Sequence, residues 1–135
     1  MEGILKVMVM KKLIIILTGF MMLSSFSNGQ LIDEVITSLK SGKADQLSSL
    51  FDNTIEIALP ESNNSYSKNQ ATAVIKDFFI LHQVKNFEVL HKGENGGSQF
   101  CIGMLYTKNG TFRTTIYIKQ KADKKVVQEI RFELN

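Results

Sequence analysis

A single cysteine, a single proline and no tryptophan in 135 residues set the first limits on this chain. One cysteine cannot close an internal disulfide, so a disulfide-stapled scaffold and a cysteine-rich zinc module are both excluded. The nine glycines show no fixed period, which rules out a collagen-like repeat. No apolar run is long enough for a multi-span membrane protein. What is present is ordinary for a folded domain: 44% apolar and 21% charged residues, too apolar for a disordered chain and enough for one hydrophobic core.

Lys11 and Lys12 precede an apolar stretch from Leu13 to Leu23, softened only by Thr18 and Gly19, and a small, polar run from Ser24 to Gly29 follows. This is the layout of a signal peptide. The peptidase pocket admits an extended strand with no room for bulk one and three places before the cut, and Gly29 and Ser27 meet that demand for cleavage before Gln30. Residues 1–29 are therefore expected to be a removed leader and residues 30–135 a single domain, exported to a bacterial periplasm or beyond. As a helix the apolar stretch extends about 16 Å against about 30 Å of hydrocarbon, which leaves an uncleaved anchor as the alternative and no stable span after cleavage. Lipidation needs a cysteine at the cut, and Cys101 is far downstream. Translation can start at Met1 or Met10.

The formal charge of +3 belongs mostly to this leader. Its removal takes away Lys6, Lys11, Lys12 and Glu2, leaving 13 basic and 12 acidic residues. No positive field remains to attract nucleic acid. The cluster Lys119, Lys121, Lys124 and Lys125 surrounds a predicted turn at Ala122–Asp123, where lysines guard strand edges.

Leu31, Ile32, Val35, Ile36 and Leu39 recur at helical spacing, and Gly42 stands where a left-handed residue closes the last turn. A second short helix is expected over 44–51, with Leu47, Leu50 and Phe51 on one side. Ile55, Ile57 and Leu59 alternate as a strand that Pro60 stops. The polar stretch 61–65 reads as a turn. Ser67 and Gln70 then form a capping box that opens the longest helix, with Ala71, Val74, Ile75, Phe78, Phe79 and His82 on one face.

From Lys85 the period changes to two and predicts four antiparallel strands, with turns at 93–97, at Asn109–Gly110 and at Ala122–Asp123. With Asn109 and Gly110 as the loop, Thr107 would oppose Phe112 and Leu105 would oppose Thr114. One face then carries Cys101, Gly103, Leu105, Phe112, Ile116 and Ile118. The other carries Phe100, Ile102, Met104, Tyr106, Arg113, Thr115 and Tyr117. Helices on one side of a sheet cover one face only. The second apolar face needs a partner or a ligand, or else a bend in the sheet that closes it. The register of the last strand stays open, since one place flips every side chain.

This order of elements resembles the nuclear transport factor 2-like, or cystatin-like, α+β fold, and more narrowly an exported bacterial family, domain of unknown function 4783. The likeness rests on Leu39, Ser41, Gly42, Leu47 and Phe51, on Tyr66, Ser67, Gln70 and Ala71, and on Phe78 and Phe79. Downstream it rests on His91–Gly93, Asn109–Thr111 and Gln128–Arg131. The resemblance implies a cone: two short helices, a strand and a long helix wrapped by a curved antiparallel sheet, with a pocket at the open end. That architecture serves isomerases, dehydratases, hydrolases, binding modules and dimerisation domains, so it selects no activity.

The residues single out no catalytic group. Glu129 and Arg131, two apart on a strand, suit an ordinary ion pair or the mouth of a pocket; with Tyr66 or Tyr117 they are the best acid–base set for an isomerase- or hydrolase-like alternative. His82 and His91 lack a second ligand at metal spacing, so no metal or cofactor is expected. Cys101 between Phe100 and Ile102 reads as a small buried hydrophobe. The leading expectation is a non-catalytic exported module. It would bind an apolar small molecule near Phe78, Phe79, Leu105 and Ile116, or a protein partner as a homodimer through Met104, Tyr106, Arg113 and Tyr117.

Overall fold

The computed structural model describes residues 31–135. The expected leader at 1–29 lies outside the described residues. Helix α1 spans Leu31–Ser41 and buries Ile32, Val35 and Leu39, with Asp33 and Glu34 in its first turn and Lys40 in its last, each charge complementing the helix dipole. Gly42, at φ +64°, ends it: Gly42 N donates to Leu39 O at 3.3 Å and Lys43 N to Ser38 O at 3.1 Å, the paired bonds that satisfy a helix's last carbonyls.

Helix α2 is shorter than the spacing predicts, Ala44–Ser48 rather than 44–51. Val127 N donates to Leu50 O at 2.8 Å, and Phe51 pairs with Val127, so the sheet captures the chain before another helical turn can form. Strand β1 is Phe51–Leu59 and β2 is Ser62–Ser67. Where the polar stretch 61–65 predicts a turn, residues 62–67 form an antiparallel edge strand on β1, from Leu59↔Ser62 to Thr54↔Ser67. Its side chains are exposed apart from a half-buried Tyr66, so no apolar alternation announces it.

Helix α3, Lys68–His82, begins with the predicted capping box: Gln70 N donates to Ser67 Oγ at 3.3 Å and Ser67 N to Gln70 Oε1 at 3.1 Å. Ala71, Ile75, Phe78 and Phe79 are buried. Strands β3 (Val84–Asn95), β4 (Ser98–Thr107), β5 (Gly110–Lys121) and β6 (Lys124–Leu134) complete a six-stranded sheet. The order is β2-β1-β6-β5-β4-β3, with β1 and β6 parallel and every other pair antiparallel. The α+β expectation holds, as a curved sheet that does not close. Among the described residues no helix is long and apolar enough to cross a membrane.

Two turns sit elsewhere than predicted. The β4–β5 loop is Lys108–Asn109, with Thr107 opposite Gly110 and Leu105 opposite Phe112. Thr107 Oγ1 sets it, accepting from Asn109 N at 3.2 Å and donating to Gly110 O at 2.7 Å. The loop moves by one residue and the cross-strand partners by two, so the assignment of side chains to faces survives. The β3–β4 turn is Gly96–Gly97 alone, and Gly93 lies within β3, where its missing side chain makes room for the Phe100 ring. Gly103 does the same for Phe87 on the inner face. The last strand carries a bulge, since Tyr117 opposes Glu129 while Ile118 opposes Val127, leaving Gln128 as the extra residue.

The core fills the space between the helices and one face of the sheet. Phe87, Leu105, Phe112, Ile116, Ile118, Ile130 and Phe132 meet Val35, Leu39, Leu47 and Ile75, all essentially inaccessible. Phe78 joins the layers, 4.5 Å from the Phe132 ring and 5.2 Å from that of Phe112. Phe78→Ala is expected to cost about 3 to 5 kcal/mol in denaturant unfolding. Gly103→Ala, whose Cβ would lie 2.5 Å from the Glu88 carbonyl oxygen, is expected to cost about 1 to 3 kcal/mol despite adding only a methyl group.

Candidate functional site

Two regions stand apart from the packed interior: the open end of the cone and the outer face of the sheet. At the open end, the last turn of α3 faces the turn between β1 and β2, and a cavity of about 240 Å³ lies between Phe78, Leu81 and His82 on one side and Leu59, Pro60, Glu61 and Ser62 on the other. The frame is pinned: Asn109 Nδ2 donates to Leu81 O at 2.7 Å, and Lys108 N donates to His82 O and Gln83 O at 3.0 and 3.1 Å. Gln83, at φ +40°, takes the strained conformation that lets α3 stop and β3 begin. The His82 ring lies 4.6 Å from Phe78 and 4.8 Å from Phe112. Its Nδ1 is buried with no hydrogen-bond partner among the described residues. Leu81 and Leu134, the latter paired with Phe112, are 65% and 67% exposed.

The four residues expected to line a ligand site separate. Leu105 and Ile116 are wholly enclosed in the core and Phe78 and Phe79 nearly so. Phe78 borders the cavity just described, whereas Phe79 borders a different cleft of about 480 Å³ beside Lys43, Asp45, Lys76 and Ile80. The register brings the expected dimer residues together. Met104 pairs with Arg113, and Tyr106 and Tyr117 lie on the same outer face of β4 and β5. Phe100 pairs with Tyr117 and Ile102 with Thr115, so the patch runs the length of both strands. From β3, Glu88 accepts the Tyr106 hydroxyl bond at 3.0 Å and so raises that phenol's pKa, and His91 lies 5.2 Å from the Phe100 ring. No local sequence pattern announces these two neighbours, because their contacts are between strands.

Among the described residues, titratable groups do not converge inside the cone. Glu129 lies on the outer face, ion-paired with Arg131 and opposite Tyr117; the bond to Glu129 raises the Arg131 pKa. Tyr66 is on β2 and accepts from Asn64 Nδ2 at 3.3 Å. Among the described residues no three His, Cys, Asp or Glu side chains are grouped to hold a metal. Asp52, 9% exposed, pairs with Lys121 at 2.9 Å. The Lys121 hydrogen bond, joined by the Asn53 amide, outweighs burial and lowers its pKa. Burial pushes the Cys101 thiol up to about 11.

A curved sheet wrapped on helices and left open at one end is the architecture of the nuclear transport factor 2-like α+β fold. A protein of this class and of unknown function from Cytophaga hutchinsonii superposes with a TM-score of 0.58 over 78% of this chain and 87% of its own, at 10% identity, a likeness of fold alone. The chain belongs to the family described as domain of unknown function DUF4783, whose profile matches residues 32–133. Crystal structures of members from Bacteroides ovatus and Bacteroides uniformis are 31% and 27% identical to it, each with a TM-score of 0.76; they cover 79% and 78% of this chain and 98% of their own. No curated protein matches the chain.

Two outcomes follow from the charged and thiol groups. Because the Asp52 pKa is lower folded than unfolded, its contribution is present above the unfolded value and lost as pH falls through the folded one. Asp52→Asn is expected to lower stability by about 1 kcal/mol at pH 7, with its unfolding curve converging on wild type as the pH falls below the ordinary aspartate range. Cys101 is expected to resist iodoacetamide at pH 8 in the native protein and to react once unfolded, as alkylation followed by mass spectrometry would show.

Proposed function

We propose that the chain is a non-catalytic exported module that works by association, two copies meeting through the outer faces of their sheets. The carrying observation is that the inner face already meets the helices, while Phe100, Ile102, Met104, Tyr106 and Tyr117 form a second apolar strip outside the core cluster. Tyr117 is 43% exposed. Aromatic residues, methionine and arginine are the types enriched where proteins meet. Arg113 pairs with Glu133 at the margin, so one patch holds an apolar centre and a rim of both signs, as a two-fold, self-complementary contact requires.

The isomerase- or hydrolase-like alternative needs a carboxylate base in a desolvated pocket. Glu129, its best candidate, is engaged by Arg131 on the outer face, and that geometry favours the association reading. Export rests on the basic pair and apolar stretch before Gln30, and the leader's removal frees the domain from the membrane.

Sedimentation equilibrium at micromolar concentration tests the association. The expected result is a dimer. Tyr117→Lys places a charge in both halves of the contact and should weaken dimerisation by about 100-fold, roughly tenfold per copy. A monomeric protein, or a dimer indifferent to Tyr117→Lys, would overturn the reading.

A further inference from the structure

We infer that Asn95, at the tip of the β3–β4 hairpin, is a site of spontaneous covalent modification that loses its side-chain amide to attack by the Gly96 backbone nitrogen, while Asn109, in the same dipeptide, is held out of that reaction by the end of α3. The inference is independent of self-association, since it concerns the loop tips and needs only water.

The chemistry follows from the dipeptide. A backbone nitrogen can reach the side-chain carbonyl carbon of the asparagine before it and close a five-membered ring, and a glycine has no side chain to crowd that approach. The new bond joins Gly96 N to Asn95 Cγ, the bond from Cγ to Nδ2 breaks, and the Gly96 proton leaves with the amide as ammonia. Water then opens the succinimide at either carbonyl. One opening leaves aspartate at position 95, the other isoaspartate, whose main chain continues through the side-chain carbons. Nothing is oxidised or reduced.

Both Asn–Gly pairs among the described residues are exposed, so exposure does not separate them. Hydrogen bonding does. Among the described residues neither the Asn95 amide nor the Gly96 N–H has a partner; the bond made by this turn runs from Gln120 N to Gly97 O at 2.8 Å. A Cβ built on Gly96, at φ +60°, would meet nothing within 4 Å, so nothing crowds the ring as it closes. Asn109 is held on two sides. Its Nδ2 donates to Leu81 O at 2.7 Å and its backbone N to Thr107 Oγ1 at 3.2 Å. Gly110 opposes Thr107 in the ladder, and its carbonyl accepts from Thr107 Oγ1 at 2.7 Å. The ring at this site closes only after the amide releases α3 and swings back over Gly110, and the net worth of the released bond slows that step about tenfold.

Isoaspartate at position 95 inserts a main-chain carbon beside the Asn95↔Ser98 pair that ends the ladder, and either product sets a carboxylate next to Glu94. Residues 94–98 are all exposed, so the fold survives the change.

Incubation of the purified protein at pH 8, native and in guanidinium chloride, tests the assignment by tryptic mass mapping against time. The two sites fall on separate peptides, one running from Gly93 to Lys108 and one from Asn109 to Arg113. Each conversion adds one mass unit, and the isoaspartyl product separates from the aspartyl one by chromatography. In the native protein position 95 should convert about tenfold faster than position 109. In denaturant, where Leu81 O no longer holds the amide, the two rates should agree within about threefold. Asn95→Gln, whose longer side chain needs a six-membered ring, should leave that peptide unconverted over the same time. The proposal is overturned if the two native rates are equal, if position 109 is the faster, if position 95 converts only in denaturant, or if the difference between the sites persists in denaturant.

Discussion

The stack of Phe78 on Phe132, 4.5 Å between ring centres, is the contact on which the rest of the structure depends. Phe78 is a buried aromatic residue near the end of α3, and Phe132 lies near the end of β6, the strand that holds β1 in parallel on one side and β5 antiparallel on the other. One aromatic contact therefore ties the long helix to the middle of the sheet. Its continuation through Phe112 and His82 sets the height at which α3 ends, and the cavity beside the β1–β2 turn exists because the helix stops there.

A second consequence comes from covering a sheet on one side only. Among the described residues α1 and α3 lie against the inner face and α2 packs on those two helices, so the outer face has to satisfy itself with what β1 to β6 place there. Toward β1 and β6 it does so with charge, in the Asp52–Lys121 and Glu129–Arg131 pairs. Toward β4 it places Phe100, Ile102 and Met104, and lets Phe100 lie over Gly93. That ring shields a strand backbone that would otherwise be bare, and it also widens the apolar strip. Stability of the sheet and stickiness of its surface thus arise from the same side chain, which is why the strip reads as a contact surface rather than as scattered exposure.

The faces of β4 and β5 were legible because alternation is a local property: Cys101, Leu105, Phe112, Ile116 and Ile118 all turn inward even though the cross-strand pairing slides by two residues. The capping box at Ser67 and the glycine closure at Gly42 were legible for the same reason, each being a bond between residues three to five apart. Strand β2 was hidden because an edge strand of Ser, Asn and Tyr buries almost nothing and is held by backbone bonds to β1. The end of α2 was hidden because Leu50 is claimed by Val127, far away in sequence. Of the candidate sites, the outer strip was visible as a pattern. The cone mouth was visible only as separate residues, Phe78 and His82 on a helix stripe with no sign of the β1–β2 turn opposite them.

From residue order alone came the succession of elements, the caps that begin and end the helices, and the inward and outward sides of the antiparallel strands, together with the family likeness these carry. Those features depend on dihedral preferences and on side-chain periods of 3.6 and 2, which act within a few neighbouring residues. Tertiary structure alone decided that β1 runs parallel to β6, that Gln128 forms a bulge, that Glu129 meets Arg131 outside the cone, and that His82 stands among phenylalanines across from Pro60. Each of these is a contact between segments distant in the chain, and its energy exists only once the chain has closed the loop that brings them together.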